Sequence, residues 1–436
     1  MTLFFYNVAL LAGLVASLPW WLWRTATTKK YRDGLRERLG RVPRKLETVS
    51  GVAGRGTIWL HAVSVGEVLA VSRLVKTLDV EFPDFQVVVS TTTRTGQALA
   101  REKFGLNRVF YCPLDVPWAV RAYLNAMRPS MLVLAETEFW PNLLSGCFRR
   151  GIPVVVVNAR ISNRSWPRYK MLRGLWRPLL SRLSRVLAQS DTDAARLRAV
   201  GCAPDRVTVA GNLKFDVRAA EESEATRILK AQSGGLKWVV AGSTLEGEEA
   251  ALLEAWPRLL AVDANLAMVL APRHPERFSA VATRCEEAGL SCVLRSELAH
   301  SPRPLRPGEI VLLDTIGELA SVYSLASVAF VGGSLVAAGG HNPLEPAQFG
   351  VPIVMGPRYA NFTAITDMLR NADALRIASK EELADVFAEL LRDRARAEAM
   401  GARAKRVFEE QAGATERCVA AIREVLAADA DVERRA

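Results

Sequence analysis

Short apolar segments rich in β-branched residues recur along this chain, and they constrain its fold more than any other feature. Three of them read VVVS, MLVLAE and PVVVVNA, with apolar residues at consecutive positions. Such segments are typical of strands buried on both faces of a parallel sheet. Helical stretches of ten or more residues separate them, so the sequence predicts successive βαβ units in an α/β fold.

The predicted strands fall into two sets of five. The first set is 57–61, 86–90, 131–135, 154–158 and 185–189, and the second is 238–242, 267–271, 310–313, 328–331 and 352–355. Each half opens with an apolar strand, a turn of small residues and a Gly-Glu pair that begins a helix, as in WLHAVSVGEVLAV and VVAGSTLEGEEAALL. We therefore expect two doubly wound, Rossmann-like domains, 24–212 and 213–426.

A membrane helix is predicted before the first domain. Residues 3–23 read LFFYNVALLAGLVASLPWWLW, which is uncharged and ends in a Trp cluster. About 20 apolar residues span a bilayer as a helix, and Trp favours the interface. Positive charge follows the segment, whereas a cleavable signal peptide carries it in front. We expect a single-pass membrane anchor, with a short N-terminus outside and the body of the protein cytoplasmic.

The net charge of +11 is unevenly distributed. Residues 24–45 hold nine Lys/Arg and two Asp/Glu, and residues 161–190 hold seven Lys/Arg without an acid, so each segment contributes +7 and the rest of the chain −3. This distribution argues against a nucleic-acid-binding protein. The six cysteines form no C-x-x-C pair and the four histidines no cluster, so we expect neither disulfides nor a metal site.

The segment HAVSVGE, which ends at Glu67, follows the first predicted strand. Ser64 and Glu67 have capping-box spacing, which explains them as helix-end residues. A carboxylate at a strand's carboxyl end is also where a general base would lie. From position alone, the two interpretations of Glu67 are equally supported.

Further polar clusters follow other predicted strands. ETEFWPN places Glu136 and Glu138 after MLVLA, which favours a cleft over a plain surface. GNLKFD carries Lys214 near the expected domain boundary, where a cation could neutralise a phosphate or a developing negative charge. PRHPER carries Arg273, and DTIGEL follows another strand. In FVGGS and GGHNPLE we expect glycine-rich turns whose N–H groups face an anion, a helix dipole after Asn342, and Glu345 near a ribose.

The basic segment 161–190 interleaves Trp166, Tyr169 and Trp176 with its cations. This composition suits a membrane surface or an anionic lipid, and the apolar N-terminal helix favours lipid over RNA. We expect a membrane or lipid surface to meet cations at the centre of this segment, namely Arg164, Arg168, Lys170, Arg173 and Arg177.

Taken together, these motifs resemble the 3-deoxy-D-manno-oct-2-ulosonic acid (Kdo) transferase family. The resemblance extends over nearly the whole chain through HAVSVGE, ETEFWPN, NARIS, GNLKFD, PRHPERF, DTIGEL, FVGGSL and GGHNPLEPA. It implies the GT-B glycosyltransferase fold, in which two Rossmann-like domains face a cleft. It also implies inverting, metal-independent transfer of Kdo from CMP-Kdo to the lipid A precursor, lipid IVA, without a cofactor.

The resemblance also implies residue roles. Glu67 would be the proton acceptor, and Glu136 and Lys214 would stabilise the transition state. The N-terminal domain would bind the acceptor and the C-terminal domain the donor. The CMP site would comprise Pro272, Arg273, Ile316, Gly317, Glu318, Asn342, Pro343, Leu344 and Glu345.

Two other functions share some of these features. A sugar-nucleotide epimerase on the same fold would explain the nucleotide-binding turns but not the apolar helix or the basic segment. A membrane-anchored nucleotide-sugar-binding protein would bind CMP-Kdo without needing Glu67 as a base.

Overall fold

The computed structural model describes residues 2–27, 33–46, 56–218 and 222–435. The chain divides into an N-terminal unit, Met1–Val217 with Ala412–Ala436, and a C-terminal unit, Arg218–Gln411. Each unit contains one seven-stranded parallel sheet flanked by helices. All ten predicted strands are present, with ends within two residues of the prediction.

The sheet of the N-terminal unit has the order β3-β2-β1-β4-β5-β6-β7. Its strands are β1 (Gly56–His61), β2 (Phe85–Thr91), β3 (Val109–Tyr111), β4 (Met131–Ala135), β5 (Val154–Ala159), β6 (Arg185–Ala188) and β7 (Val207–Val209). Side chains alternate between two cores: Trp59 and Leu132 face one, whereas Ile58 and Val133 face the other. Burial on both faces explains the continuous apolar segments of the sequence.

The helices of the N-terminal unit cover both faces of this sheet. They are α1 (Thr2–Thr27), α2 (Leu35–Arg38), α3 (Val65–Ala70), α4 (Ser72–Glu81), α5 (Arg94–Phe104), α6 (Pro117–Met127), α7 (Pro141–Arg149), α8 (Trp166–Met171), α9 (Arg173–Leu180), α10 (Asp191–Val200) and, from the end of the chain, α20 (Ala414–Arg435).

The sheet of the C-terminal unit has the order β10-β11-β9-β8-β12-β13-β14. Its strands are β8 (Lys237–Thr244), β9 (Leu266–Pro272), β10 (Cys292–Leu294), β11 (Ile310–Leu312), β12 (Ala326–Val331), β13 (Ile353–Met355) and β14 (Leu375–Ile377). Its helices are α11 (Glu224–Gln232), α12 (Glu248–Val262), α13 (Phe278–Glu287), α14 (Arg295–His300), α15 (Leu319–Val322), α16 (Leu344–Ala347), α17 (Thr363–Asn371), α18 (Leu383–Arg392) and α19 (Arg394–Gln411).

The last helix belongs to the N-terminal unit, which differs from the predicted domain 213–426. Cys418, Val419 and Ile422 of α20 pack into one core of the N-terminal sheet. The buried Asp216 carboxylate accepts hydrogen bonds from the backbone N–H groups of Gly413, at 2.7 Å, and of Thr415. An aspartate far away in sequence thus caps α20, so the chain crosses between units twice, at 217–218 and at 411–412.

The N-terminal helix α1 includes an apolar segment, Leu3–Trp20, that is long enough to cross a membrane. Its first turns contact the body of the N-terminal unit, where Tyr6 donates a hydrogen bond to Asp115 and Asn7 pairs with Asn142. The predicted single-pass arrangement placed this end of the helix across the membrane from the body. These contacts do not fit that arrangement.

The basic segment that follows α1 is only partly described, because residues 28–32 lie outside the described residues. In the described part, Arg38 donates to the carbonyl of Thr92, and Lys45 donates to the carbonyls of Leu106 and Val109 at 2.6 and 2.7 Å. Part of the charge in 24–45 therefore holds the N-terminal unit together.

Candidate active site

The strand order of the N-terminal sheet reverses between β1 and β4. These two strands pair in parallel, with His61 opposite Leu134, so the segments that follow them leave the same edge of the sheet. Segment 62–67 follows β1 and segment 136–142 follows β4. In open α/β sheets, a crevice at such a reversal is the usual place for a ligand.

Glu67 lies at the third helical position of α3, after Ser64. A capping box would have Ser64 accept from a backbone N–H of α3, but Ser64 forms no such bond. Instead, the Ser64 hydroxyl donates to Glu67 Oε1 at 3.0 Å, and the Val63 N–H donates to Oε2 at 2.8 Å. The carboxylate therefore terminates a short hydrogen-bond network rather than closing the helix end.

Burial of Glu67, which is 8% exposed, is the main cause that raises its pKa from 4.5 to about 7. The neighbouring charges of Glu136 and Glu138 raise the pKa further, whereas the bonds from Val63 and Ser64 lower it. A general base works best when its pKa lies near the working pH. A carboxylate with this pKa can accept a proton near neutral pH, as the interpretation of Glu67 as a base requires.

Glu136 follows β4 with a left-handed backbone, at φ 57°. Its N–H donates to the Val157 carbonyl at 2.9 Å, which continues the β4–β5 ladder by one residue. Left-handed φ values are uncommon for residues other than glycine and concentrate at functional sites. The conformation turns the chain sharply out of the sheet, and Glu136 remains close enough to raise the pKa of both Glu67 and Glu138.

Lys214 reaches the same group of acids from a short 3-10 turn, Leu213–Asp216. Asn158 fixes this turn, because its side-chain oxygen accepts from the Leu213 N–H at 3.0 Å. Asn158 is itself buried at the end of β5 with φ 55°. Burial lowers the pKa of Lys214, while the charges of Glu136 and Glu67 oppose that decrease. Glu67, Glu136, Glu138 and Lys214 therefore form one electrostatic cluster.

The histidine of HAVSVGE has a structural role. His61 is fully buried, and its Nδ1 lies 2.8 Å from the Ser90 hydroxyl. Burial lowers the pKa of His61 to about 4, so the ring is neutral near pH 7. It links β1 to β2 and leaves Glu67 as the titrating group of this motif.

The basic segment forms two short helices, α8 and α9, packed on ETEFWPN by aromatic side chains. Phe139 contacts Tyr169 and Trp176, with ring centroids 6.4 and 6.2 Å apart, and the Tyr169 hydroxyl donates to the Thr137 carbonyl at 3.3 Å. The five predicted cations are all exposed: Arg164, Arg168, Lys170, Arg173 and Arg177. Met171, Leu172 and Leu175 are exposed beside them. This surface is both basic and apolar and adjoins the acidic cluster through one segment of chain.

In the C-terminal unit, Arg273 and Glu345 lie near one another. Arg273 is exposed just beyond β9, and its N–H donates to the Thr244 carbonyl at 2.9 Å. Burial raises the pKa of Glu345 to about 7, against the effects of a hydrogen bond with Asn342 and of the Arg273 charge. Pro343 and Leu344, which lie between Asn342 and Glu345 in the sequence, are buried. The helix expected after Asn342 is a single turn, α16, so it contributes little dipole.

Ile316, Gly317 and Glu318 form a turn after β11. Ile316 is 80% exposed, and Gly317 has φ 87°. The Glu318 carboxylate is already engaged, since it accepts from Arg295 and from the Ala225 N–H at 2.8 Å each, and also from Thr315. It therefore fixes the turn, which leaves the backbone and Ile316 facing outward.

The glycine-rich turn after β12 differs from the expectation that its N–H groups face an external anion. The Glu248 carboxylate accepts from the N–H groups of Gly333 at 2.7 Å, Ser334 at 2.9 Å and Leu335 at 2.8 Å. It also accepts from the Leu245 N–H at 2.9 Å and is fully buried. This turn is occupied by an internal anion.

Sequence reasoning missed the roles of Asn158 and Glu248. Both residues occur in motifs that attracted attention, NARIS and LEGEE, but their contacts join segments 55 and more than 80 positions apart. The repeated Gly-Glu pattern of the two halves was the one available signal for Glu248.

Comparisons with known proteins show the family of this chain. Residues 33–217 match the family model of 3-deoxy-D-manno-octulosonic-acid transferase (kdotransferase). A 3-deoxy-D-manno-octulosonic acid transferase of Haemophilus influenzae is 35% identical, over 83% of this chain and 85% of its own length. That of Bordetella pertussis is 34% identical, over 97% and 99%.

Among solved structures, a putative UDP-N-acetylglucosamine 2-epimerase from Listeria monocytogenes is similar with a TM-score of 0.55. It is 15% identical, over 84% of this chain and 96% of that one, which shows a shared GT-B-like fold and not a shared reaction. The two curated relatives, by contrast, are similar at the level of the family. The chain therefore belongs to the 3-deoxy-D-manno-octulosonic acid (Kdo) transferase family and is a glycosyltransferase of lipopolysaccharide biosynthesis.

Proposed function

We propose that this enzyme transfers Kdo from CMP-Kdo to lipid IVA, with inversion at the anomeric carbon. The observation that carries the proposal is the buried Glu67 carboxylate, whose pKa is about 7. It lies beside Glu136 and Lys214, where the strand order of the N-terminal sheet reverses between β1 and β4. An acceptor hydroxyl must lose a proton near neutral pH, and one carboxylate of this pKa suffices.

In the proposed reaction, Glu67 takes the proton of the acceptor hydroxyl. The hydroxyl oxygen forms a bond to the anomeric carbon of Kdo while the bond from that carbon to the CMP phosphate breaks. CMP leaves with the bonding electron pair as a phosphate anion. Glu136 and Lys214 stabilise the transition state, because a half-buried cation beside carboxylates can compensate charge as it moves.

The donor is proposed to bind the C-terminal unit. Arg273 is an exposed cation suited to phosphate, and Glu345 with Asn342 offers hydrogen-bonding groups for the nucleoside. Pro272, Pro343 and Leu344 shape the surface, and 316–318 contributes through its backbone. Gly333, Ser334 and Leu335 are left out of phosphate binding, because their N–H groups already donate to Glu248.

The acceptor is proposed to bind the N-terminal unit, with its phosphates on the α8–α9 cations and the enzyme attached to the cytoplasmic face of the inner membrane. The exposed Met171, Leu172 and Leu175 beside these cations support attachment to an anionic lipid surface. We propose that neither a metal ion nor a cofactor takes part, since Lys214 can offset the negative charge that develops on the departing phosphate.

The test is to incubate the purified enzyme with CMP-Kdo and lipid IVA and to determine the mass of the lipid product. Addition of Kdo supports the proposal, and chelation of divalent metals should leave the rate unchanged. Binding of CMP-Kdo without transfer would instead indicate a nucleotide-sugar-binding protein. Conversion of the sugar nucleotide without the lipid would indicate an epimerase.

A further inference from the structure

The N-terminal helix α1 has two different faces. Its half-buried residues recur at helical spacing and form one stripe: Leu3, Tyr6, Asn7, Leu10, Leu14 and Ser17. The exposed apolar residues form a second stripe about 100° or more further around the helix and are 50–68% exposed: Phe4, Phe5, Val8, Leu11, Val15 and Leu18. A helix surrounded by lipid has no need of a polar pair on one stripe, whereas a helix lying on a protein surface does.

A polar clamp, Tyr6 and Asn7 with Asp115 and Asn142, joins the first turns of α1 to the body. The Tyr6 hydroxyl donates to Asp115 Oδ2 at 3.0 Å. The side-chain amides of Asn7 and Asn142 exchange two hydrogen bonds, at 3.2 and 2.7 Å.

Asp115 connects the polar clamp to α7. It is 4% exposed and accepts from the N–H groups of Asn142, at 2.9 Å, and Leu143, at 2.8 Å, so it caps the start of α7. Breaking the clamp would remove the partner of the buried Asn142 side-chain oxygen, which is costly, whereas Asp115 would keep its hydrogen bonds to the start of α7.

The polar clamp restricts how α1 can meet a bilayer. A spanning helix places its two ends on opposite sides of about 30 Å of hydrocarbon. Here the body of the N-terminal unit holds the beginning of α1 through Tyr6 and Asn7. The described part of the same body begins again at residue 33, shortly after the C-terminal end of α1. One body cannot occupy both sides, so α1 cannot span while the clamp is formed.

We propose that α1 lies in the plane of the cytoplasmic membrane surface, with the stripe containing Phe4, Val8 and Leu11 in the lipid and the polar clamp on the body. Helix α7 contacts both α1 and α9, so α1 and the basic helix pair flank the same helix. The segment that leads into α7 begins at Glu136. Attachment to an anionic bilayer would thus be mechanically joined to the acidic cluster. This inference rests on the membrane attachment proposed above.

The direct test is cross-linking within the full-length protein in isolated inner membranes. In the double variant Asn7→Cys/Asn142→Cys, a short thiol-reactive cross-linker should join the two cysteines. Five of the native cysteines are buried and Cys292 lies in the other unit, so the parent should give no such product. The matched control is Leu11→Cys/Asn142→Cys, because Leu11 lies on the exposed stripe. A folded Asn7/Asn142 double variant that does not cross-link would overturn the clamp.

A second measurement leaves the clamp residues unchanged. An epitope placed before Met1 should be protected from protease in intact spheroplasts and digested in inside-out vesicles. Digestion in spheroplasts would overturn the in-plane orientation. Kdo transfer is measured on the same membranes: an active enzyme with an external epitope refutes only this inference, whereas an inactive enzyme with a protected epitope refutes only the proposed function.

Discussion

Glu67 and Glu248 occupy corresponding places in the two units, and their surroundings are opposite. Each begins a helix after the first strand of its sheet, where the strand order reverses. Glu248 is fully buried and accepts four backbone hydrogen bonds. Glu67 accepts one backbone and one hydroxyl hydrogen bond and has two acids nearby.

The difference shows how one local pattern serves two purposes. Backbone N–H groups stabilise a carboxylate, so an anion with four of them is held as part of the structure. An anion with few donors and like charges nearby binds a proton more readily. In the C-terminal unit the glutamate orders a turn, and in the N-terminal unit it is left able to accept a proton.

The largest expected effect is that of Glu67→Gln. Loss of a general base typically lowers the rate by roughly a hundred- to ten-thousand-fold. Because the pKa of Glu67 is raised from 4.5 to about 7, its burial lowers stability progressively as the pH rises through that interval. The variant should therefore be at least as stable as the parent at about pH 8 and bind CMP normally. Transfer assays, CMP titration and thermal unfolding check this. A folded variant that keeps most of its rate would reduce Glu67 to a helix-end residue and move the base to Glu136 or Glu138.

The next effect is that of Lys214→Met, which removes the Lys214 charge from the acidic cluster and keeps the length of the side chain. Loss of a group that stabilises charge in the transition state costs roughly a hundred- to a thousand-fold in rate. Single-turnover kinetics with both substrates saturating measure it. The matched control is Lys230→Met, because Lys230 pairs with Glu222 at the surface of the other unit. Equal rates in the two variants would remove Lys214 from the mechanism.

Glu248→Gln tests the other half of the comparison. In the parent, four backbone N–H groups donate to the two oxygens of the Glu248 carboxylate. In the variant, an NH₂ group replaces one of these oxygens, so about two of the four donors would lose their acceptor. We expect the free energy of unfolding to fall by about 2–4 kcal/mol. Denaturant unfolding measures this, with the exposed Glu246→Gln as the control. If Glu248→Gln left stability unchanged and abolished transfer, Glu248 would be the functional glutamate and the comparison would be reversed.

The smallest effect is expected for the basic helix pair. Each cation near an anionic surface contributes about 1 kcal/mol, so Arg168, Arg173 and Arg177 replaced together by Ala should raise the acceptor KM by up to about a hundredfold. CMP-Kdo binding should be unchanged. Arg273→Ala in the other unit should show the reverse, with weaker CMP-Kdo binding and an unchanged acceptor KM. If either variant bound both substrates more weakly to a similar extent, the replaced residues would be needed for the fold and not for one substrate.

The central strands could be predicted from sequence because burial on both faces leaves a continuous apolar segment. Four edge strands, β3, β7, β10 and β14, are not among the ten predicted strands. Each has only three residues, too few for a periodic pattern to be recognised. The assignment of α20 to the N-terminal unit depends on contacts between Asp216 and residues about 200 positions later, which no local pattern encodes.

Within the candidate site, sequence located Glu67, Glu136 and Lys214 but could not choose between a cap and a base for Glu67. That choice depends on burial and on Glu136 and Glu138, which a different strand brings alongside. Likewise, the glycines of FVGGS predicted a turn correctly but not its anion, because Glu248 comes from another helix. The apolar stretch of α1 predicted a helix, while its orientation depends on two polar side chains.

The pH dependence of kcat/KM for the acceptor tests the central claim most directly. If the Glu67 carboxylate is the base, the rate should rise about tenfold per pH unit below its pKa of about 7 and level off above it. The residual rate of Glu67→Gln should lack this inflection. A parent profile that is flat across this range, or the same inflection in Glu67→Gln, would contradict the assignment of Glu67 as the base.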